Sequence, residues 1–294
     1  MSDDVAHDAP VLLSLGHGYS AKALAARLLK QGWRVIGTTR SQDRAEAIRA
    51  TGAEALIWPG ASLEPALAVA THLLVSAGPD AEGDPVLRDA GDQIAAAAER
   101  LTWTGYLSTT GVYGDRGGDW VDETSECRPS TRRSQWRLAA EQAWAAVPGL
   151  RPHIFRLAGI YGPGRGPFSK VASGQARRIV KPNQVFSRIH VEDIATILRA
   201  SIANPNPGAI YNVCDDLAAP PQDVIAHAAE LLGVPVPPEV AIEDAEMSPM
   251  ARSFYAESKR VSNERIRKEL GVDLAYPTYR EGLAALLAQM QGDG

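Results

Sequence analysis

A strand, a glycine-rich turn and a helix follow one another in the stretch LSLGHGYSAKALAARLLKQG, residues 13–32. Gly16, Gly18 and Ala21 stand there in the spacing GxGxxA. In such a unit the first glycine permits a tight turn, and the second lets the backbone approach a pyrophosphate. The small third residue keeps the helix close to the sheet, so that its N-terminus faces the phosphates. The stretch predicts a dinucleotide-binding loop formed by Gly16, Gly18, Tyr19, Ser20 and Ala21, and a purely structural turn is the alternative.

Short apolar runs alternate with helical patterns up to about residue 200. The runs that read as strands are VLLSL (11–15), RVIGTT (34–39), ALIW (55–58), HLLVS (72–76), GYLS (105–108) and HIFRL (153–157). Helical patterns lie between them, at about 20–31, 43–50, 62–70, 86–100 and 134–146. Strands that are apolar on successive residues are typical of a sheet covered on both faces. The alternation predicts an α/β fold with a Rossmann-type doubly wound parallel sheet, whose ligand lies beyond the carboxyl ends of the strands.

The pattern is looser after Arg156. A Gly/Pro loop comes first, residues 235–250 are Pro-rich and expected to be irregular, and helices are expected near 258–270 and 279–290. We expect residues 9–165 to hold mainly the dinucleotide-binding core. Residues 166–294 would add the remaining core elements and a small C-terminal substrate-binding or lid region, all in one compact unit.

The end of the second predicted strand bears on the choice of dinucleotide. NAD sites usually have an acidic residue there, about 20 residues past the glycines, to hold the ribose 2′-hydroxyl. This chain has Thr39, Arg40 and Ser41 instead. An arginine and hydroxyl groups suit a 2′-phosphate, which a carboxylate would repel. The sequence therefore favours NADP(H), with NAD(H) as the alternative and Arg40 as an ordinary surface residue in that case.

Composition narrows the range of partners. The chain has 30 basic and 35 acidic residues and a net charge of −5, which argues against nucleic-acid binding. No window approaches the ~18 apolar residues that a membrane-spanning helix needs. Cys127 and Cys214 form no CxxC or metal-like spacing, so we expect neither a disulfide framework nor a metal site. Two free thiols and an acidic start without signal-peptide order favour the cytoplasm.

Motifs further along the chain resemble a known family. They are LSTTGVYG (107–114), FRLAGIYGPGR (155–165), RIHVEDIA (188–195) and YNVCDD (211–216). Their order and spacing are similar to those of the extended short-chain dehydrogenases/reductases, the nucleotide-sugar epimerases and dehydratases, over almost the whole chain. The resemblance implies a small-molecule substrate, a catalytic role for Thr109 on the substrate oxygen, and often a homodimer. Small residues at the end of the fourth strand would let the cofactor lie close to the backbone; they are Ser76, Ala77 and Gly78.

The catalytic helix of that family normally carries YxxxK followed by a Glu. When the stretch STRRSQWRLAAEQAW is aligned on Glu141 and Pro129, Arg133 and Arg137 take the places of the Tyr and the Lys. Arginine does not release its proton near neutral pH, so Arg133 cannot act as an acid or base. Arg137 could still bind the cofactor ribose or phosphate. This departure resembles the atypical extended short-chain dehydrogenases/reductases, and a solvated face with Arg137 paired to Glu141 is the alternative.

Four further side chains are candidates for the substrate side. Tyr113 and Tyr161 follow strand ends and could supply the missing hydroxyl, although in the family such tyrosines mostly pack. Arg165 and Arg188, with Arg133, could bind an anionic group of the substrate, or they are ordinary surface charge.

Two functions follow from these observations. The first is an NADP(H)-binding oxidoreductase-like protein that acts on a small carbonyl or alcohol substrate, anionic or neutral. Thr109 would orient the substrate oxygen, and the proton would come from water, Tyr113 or Tyr161. The second is a non-catalytic protein that senses NADP(H) or regulates a partner, and the missing YxxxK favours it.

Overall fold

The computed structural model describes residues 9–292, except for the side chains at 249 and 250. The strands are β1 (Val11–Leu15), β2 (Arg34–Thr39), β3 (Glu54–Ile57), β4 (His72–Val75), β5 (Trp103–Thr109), β6 (Trp120–Val121), β7 (His153–Leu157), β8 (Gly159–Tyr161), β9 (Arg178–Val180), β10 (Arg188–His190), β11 (Ile210–Val213), β12 (Glu239–Ala241) and β13 (Arg260–Val261). The helices are α1 (Tyr19–Lys30), α2 (Gln42–Arg49), α3 (Glu64–Val69), α4 (Pro85–Ala97), α5 (Arg132–Ala145), α6 (Phe168–Ala172), α7 (Val191–Ala203), α8 (Pro221–Leu232), α9 (Pro249–Tyr255), α10 (Glu264–Leu270) and α11 (Tyr279–Gly292).

Seven strands form a parallel sheet in the order β11-β7-β5-β4-β1-β2-β3. In β1, Leu13 lies opposite Ile36 of β2 on one side and Leu73 of β4 on the other. The chain therefore winds outward in both directions from β1, and the order reverses between β1 and β4. In sheets of this kind the ligand binds beyond the carboxyl ends of the strands at that reversal. The predicted doubly wound parallel sheet is confirmed.

The largest difference from the sequence prediction lies near residue 260. The helix expected over 258–270 begins only at Glu264, because residues 260 and 261 form β13 and pair with β6. Lys259, expected on that helix, is only 9% exposed. Its ammonium donates to the carbonyl oxygen of Gly114 at 2.7 Å and to Glu257 at 2.7 Å. Tertiary pairing with a segment about 140 residues away has overridden the helical pattern.

The chain packs as two compact units. The first comprises residues 9–107, 139–154 and 205–209, and the second comprises 108–138, 155–204 and 210–292. This division differs from the boundary expected at residue 165. The core of the first unit joins β1 and β4 to α3 and α4, with Leu13, Leu73 and Ile94 fully enclosed. A second core lies under α8 and α11, around Phe168, Ala228 and Leu283.

Side chains cover the outer side of β11, the last strand of the sheet. Glu123 accepts a hydrogen bond from the backbone N–H of Asn212 at 2.7 Å. The Arg265 guanidinium donates to the carbonyl oxygen of Ile210 at 3.0 Å. These polar backbone groups of the edge are therefore paired within the same chain.

Among the described residues, no helix is long and apolar enough to cross a membrane.

Candidate functional site

The glycine turn between β1 and α1 has the conformation that its spacing predicts. Gly16 has φ +82°, a backbone conformation that side chains disfavour. A Cβ at Gly16 would lie 2.8 Å from the backbone nitrogen of Ala77. The Gly18 N–H donates back to the Gly16 carbonyl oxygen at 2.7 Å, and α1 begins at the next residue. The turn therefore leaves a backbone-lined space that only glycine keeps open.

Neighbouring strands hold this turn in place. The Thr38 hydroxyl accepts from the Gly16 N–H at 2.9 Å and donates to the Ser14 carbonyl oxygen at 3.3 Å. The Ser76 hydroxyl, at the end of β4, donates to the Gly16 carbonyl oxygen. Ser76 thus supports the loop through its side chain, while Ala77 and Gly78 continue along the same strand end.

The first turn of α1 packs as the GxGxxA spacing requires. Ala21 is fully buried against the sheet and Ser20 is 7% exposed, whereas Tyr19 is half-buried. No acidic side chain stands in this first turn, so the positive end of the helix dipole is not neutralised there. A phosphate is the kind of group that such an end stabilises.

The carboxyl end of β2 presents hydrogen-bond donors. Arg40 is exposed and has no hydrogen-bond or ion-pair partner among the residues the structure describes. Ser41 is the N-cap of α2, yet its hydroxyl makes no capping bond. Thr39 is half-buried, and its carbonyl oxygen accepts from the Trp58 N–H at 2.8 Å. Arg44, which the sequence reasoning missed, lies one turn further on, exposed and also without a partner in the described part of the chain.

Thr109 ends β5 and is half-buried. Its hydroxyl oxygen accepts from the Gly111 N–H at 3.1 Å, which starts a short 3₁₀ turn. The hydroxyl proton remains available for another acceptor.

The two tyrosines proposed as replacement acids are held in packed surroundings. Tyr113 is fully buried, donates to the Asn212 side-chain oxygen at 2.8 Å and accepts from Arg156 at 2.9 Å. Burial raises the pKa of Tyr113 to about 12, against the opposing effect of Arg156. A hydroxyl that is enclosed and bonded on both sides cannot reach a substrate. The geometry speaks against Tyr113 as a proton donor.

Tyr161 is in a similar position. It is 7% exposed, and its hydroxyl donates to the carbonyl oxygen of Thr278 at 3.4 Å. Its ring fills the space that the absent side chain of Gly282 leaves on α11. Burial, with Asp215 as the next cause, raises the pKa of Tyr161. Tyr161 therefore serves packing of α11, and a role in substrate binding finds no support in its contacts.

Helix α5 exposes Arg133 and buries Ser134 and Glu141. Arg133 is exposed, with no partner among the described residues, whereas Ser134 is 7% exposed and Glu141 is 4% exposed. Arg137 is half-buried. Thr131 caps the helix, because its hydroxyl oxygen accepts from the Ser134 N–H at 3.2 Å. The position that the sequence alignment assigns to the family's Tyr therefore carries a charged group open to solvent.

Arg188 and Asp215 lie together in the second unit. The Arg188 guanidinium donates to the carbonyl oxygens of Phe186 and Ala219, at 2.8 and 3.0 Å. Asp215 is 2% exposed, and its Oδ2 has no hydrogen-bond partner among the described residues. Burial raises the pKa of Asp215 to about 8, although Arg188 opposes the shift. Arg188 is therefore engaged with the backbone and is not a free surface charge.

Arg165 lies at the edge of a cavity. It is the last residue of the turn Gly162–Arg165, which two backbone hydrogen bonds of 2.9 Å close. With Phe168, Leu286 and Met290 it borders a cavity of about 310 Å³ beside α11.

Two side chains of the motif RIHVEDIA hold backbone N–H groups. His190 Nδ1 accepts from the Glu192 N–H at 3.2 Å and so caps α7. The Asp193 carboxylate accepts from the N–H groups of Ala275 and Tyr276, at 2.8 and 3.0 Å. Both side chains thus hold backbone groups in place. In the described part of the chain, no group of His, Cys, Asp and Glu could hold a metal ion.

Comparisons with known proteins agree with this fold. No family profile matches the chain. A conserved protein of unknown function from Silicibacter pomeroyi is 61% identical, with a TM-score of 0.92 over 96% of this chain and 99% of that one. A protein from Methylobacillus flagellatus, provisionally named an NAD-dependent epimerase/dehydratase, is 26% identical, with a TM-score of 0.73 over 96% and 99%. Protein YeeZ of Escherichia coli K12 is 29% identical over 278 residues, 90% of this chain and 95% of YeeZ.

The sheet order and the glycine turn after its first strand define a Rossmann-type fold of the dinucleotide-binding class. Within that class, the chain's structural neighbours are members of the NAD-dependent epimerase/dehydratase family, the extended short-chain dehydrogenases/reductases.

Proposed function

We propose that this chain is an NADP(H)-binding oxidoreductase-like protein that acts on a small carbonyl or alcohol substrate without the usual Tyr and Lys. The observation that carries the cofactor choice is Arg40, exposed and unpaired among the described residues at the end of β2. Ser41, whose hydroxyl makes no capping bond, and Arg44 follow it in the sequence. A guanidinium and a hydroxyl donate hydrogen bonds, and a 2′-phosphate offers only acceptors.

The test is a calorimetric titration of nucleotide-stripped protein with NADPH and then NADH. We expect NADPH to bind at least about tenfold more tightly, which is roughly 1.4 kcal/mol. Arg40→Ala should remove most of that difference. Arg49→Ala, at the other end of α2, is the matched control and should leave the ratio unchanged. Equal affinities for the two dinucleotides in the wild type would refute the NADP(H) assignment.

For the chemistry, Thr109 is the residue that would orient the substrate oxygen. Its oxygen is already engaged by the Gly111 N–H, so its proton can be donated to a carbonyl oxygen. When bound, a reduced nicotinamide supplies the hydride. The proton for the product hydroxyl would come from water, since the Tyr113 and Tyr161 hydroxyls are enclosed. Arg133, open to solvent, would attract a substrate with an anionic group.

NADPH oxidation followed at 340 nm with a panel of carbonyl compounds tests this role. Thr109→Val should lower turnover at least about tenfold while the NADPH affinity stays the same, and Thr109→Ser should retain most of the turnover. Unchanged turnover in Thr109→Val would remove Thr109 from the mechanism.

A non-catalytic sensor of NADP(H) is the second candidate. The arginines at positions 133 and 137 and the enclosed hydroxyls of Tyr113 and Tyr161 favour it. Tight NADPH binding, with no NADPH oxidation in the presence of any carbonyl compound of the panel, would support the sensor function and contradict the oxidoreductase function.

A further inference from the structure

His17 stands between the two glycines of the turn and is only 7% exposed. Its backbone N–H donates to the Thr38 carbonyl oxygen at 3.1 Å, which fixes the residue to the end of β2. A histidine in the middle of a phosphate loop is therefore also part of the strand end that is expected to read the adenosine ribose.

The imidazole packs directly on Gly37 of β2. A Cβ at Gly37 would lie 2.6 Å from His17 Cγ and 3.0 Å from its Nδ1, so the ring occupies the space where a side chain would be. Side chains two residues apart on a strand project from the same face. The ring thus lies on the face of β2 from which Thr39, the last residue of the strand, projects.

Of the two ring nitrogens of His17, Nε2 is the one that can contact a ligand. Nδ1 is enclosed and has no hydrogen-bond partner among the described residues, whereas Nε2 is not enclosed in this way. Burial, and secondarily Lys22, lowers the pKa of His17 to about 4, so the ring is neutral at pH 7. A proton on Nδ1 would be a buried donor without an acceptor, which is costly. With Nδ1 enclosed, a ring that carries its proton on Nε2 can donate that proton to a ligand.

We propose that His17 is a further specificity residue of the dinucleotide site, whose Nε2–H donates a hydrogen bond to the 2′-phosphate of NADP(H). This inference rests on the proposed NADP(H) binding. His17, Arg40 and Ser41 then present an imidazole N–H, a guanidinium and a hydroxyl, with no carboxylate among them. Such a set suits phosphate oxygens, which only accept, better than a ribose hydroxyl, for which NAD sites supply an acidic acceptor.

The experiment is calorimetric titration of three variants with NADPH and with NADH, in one buffer at one salt concentration. His17→Phe keeps a ring on Gly37 and removes the donor. His17→Leu also removes the donor and leaves a smaller apolar side chain on Gly37, in case the phenyl ring does not fit. His17→Gln keeps an N–H donor at similar reach. Far-UV circular dichroism and thermal unfolding establish that each variant is folded.

We expect His17→Phe or His17→Leu to weaken NADPH binding at least about tenfold, or 1.4 kcal/mol, and NADH binding less than about threefold. His17→Gln should lie between these variants and the wild type for NADPH. A merely structural wedge in the phosphate loop would weaken both dinucleotides equally, because both carry the same pyrophosphate. Equal weakening, or no weakening of NADPH, would overturn the inference.

The wild-type titration separates the two levels of the proposal. A wild type that binds neither dinucleotide contradicts the proposed function itself, and the inference fails with it. A wild type that binds both with equal affinity contradicts 2′-phosphate recognition by Arg40 and His17 alike. A wild type that prefers NADPH, with variants that keep the preference, contradicts the role of His17 alone.

Discussion

At the scale of single residues, Gly16 meets two separate demands: a positive φ and a close approach to the backbone of Ala77. Gly16→Ala should therefore cost more than the conformational strain alone, which is about 1–3 kcal/mol for a residue held in a sparsely populated backbone region. The contact with Ala77 should add about 1–3 kcal/mol, as overpacking commonly does. Urea unfolding measures the total, and a titration should show that NADPH binding is lost as well.

Gly52→Ala is the matched control for that measurement. Gly52 has φ +88°, close to that of Gly16, but an added Cβ would have nothing within 4 Å. The difference between the two variants isolates the contact with Ala77. Equal losses of stability would mean that the turn relaxes to accept a methyl group, and that glycine at 16 is not needed for the shape of the loop.

Asp215 ties stability to pH. Its pKa is raised to about 8 in the folded chain, from 3.8. Between these values the folded state binds more protons than the unfolded state, so the stabilisation present below about pH 4 is lost as pH rises to about 8. The loss is at most about 1.4 kcal/mol per pH unit for one proton. Asp215→Asn should remove this slope. In urea unfolding between pH 5 and pH 8, the free energy of unfolding of the variant should therefore rise relative to that of the wild type as pH increases.

Asp216→Asn controls for the loss of a carboxylate in the same segment. Asp216 is paired with Arg267 at 2.7 Å near the surface and is only a minor cause of the raised pKa of Asp215, so this variant should change the relative slope of stability against pH much less than Asp215→Asn does. Parallel pH profiles for the wild type and Asp215→Asn would contradict a protonated Asp215 in the folded chain.

At the scale of elements, the start of α5 depends on Thr131. The Thr131 hydroxyl satisfies the Ser134 N–H, one of the donors that have no partner within the helix. Thr131→Ala should lower the free energy of unfolding by about 0.5–2 kcal/mol, and Thr131→Ser by a smaller amount. Chemical denaturation checks both changes. A loss as large for Thr131→Ser as for Thr131→Ala would show that the methyl group, and not the capping hydrogen bond, stabilises this end.

The long central strands could be predicted from the sequence because their signal is local. Val11–Leu15, Arg34–Thr39 and His153–Leu157 are continuous apolar or β-branched runs, and their bounds agree with the prediction. The short strands could not, because they exist only through distant partners. Arg260–Val261 pairs with Trp120–Val121, and nothing in a basic stretch such as SKRVSN indicates that partner. Burial of Lys259 follows from the same pairing.

At the scale of the whole molecule, the fold is that of the structural neighbours, whereas the replacement of the acid–base pair on α5 remains a prediction from the sequence. The glycine turn could be recognised because each small residue has a stated geometric reason to be there. The enclosure of Tyr113 and Tyr161 could not be foreseen, since their motifs place them near strand ends without indicating what surrounds the hydroxyls. For the same reason the contact between the His17 ring and Gly37 could not be predicted. It joins residues 20 positions apart, and the only trace of it in the sequence is a glycine at position 37.

The covered outer side of β11 has a consequence for self-association. An open edge strand recruits strands from other molecules, which leads to sheet extension and to aggregates. Here Glu123 and Arg265 already occupy the N–H of Asn212 and the carbonyl of Ile210. A second copy could add a strand at this edge only by displacing two charged side chains. In concentrated solution the protein is therefore protected at β11 against aggregation by strand addition, and a dimer that extends the sheet would have to form at another edge.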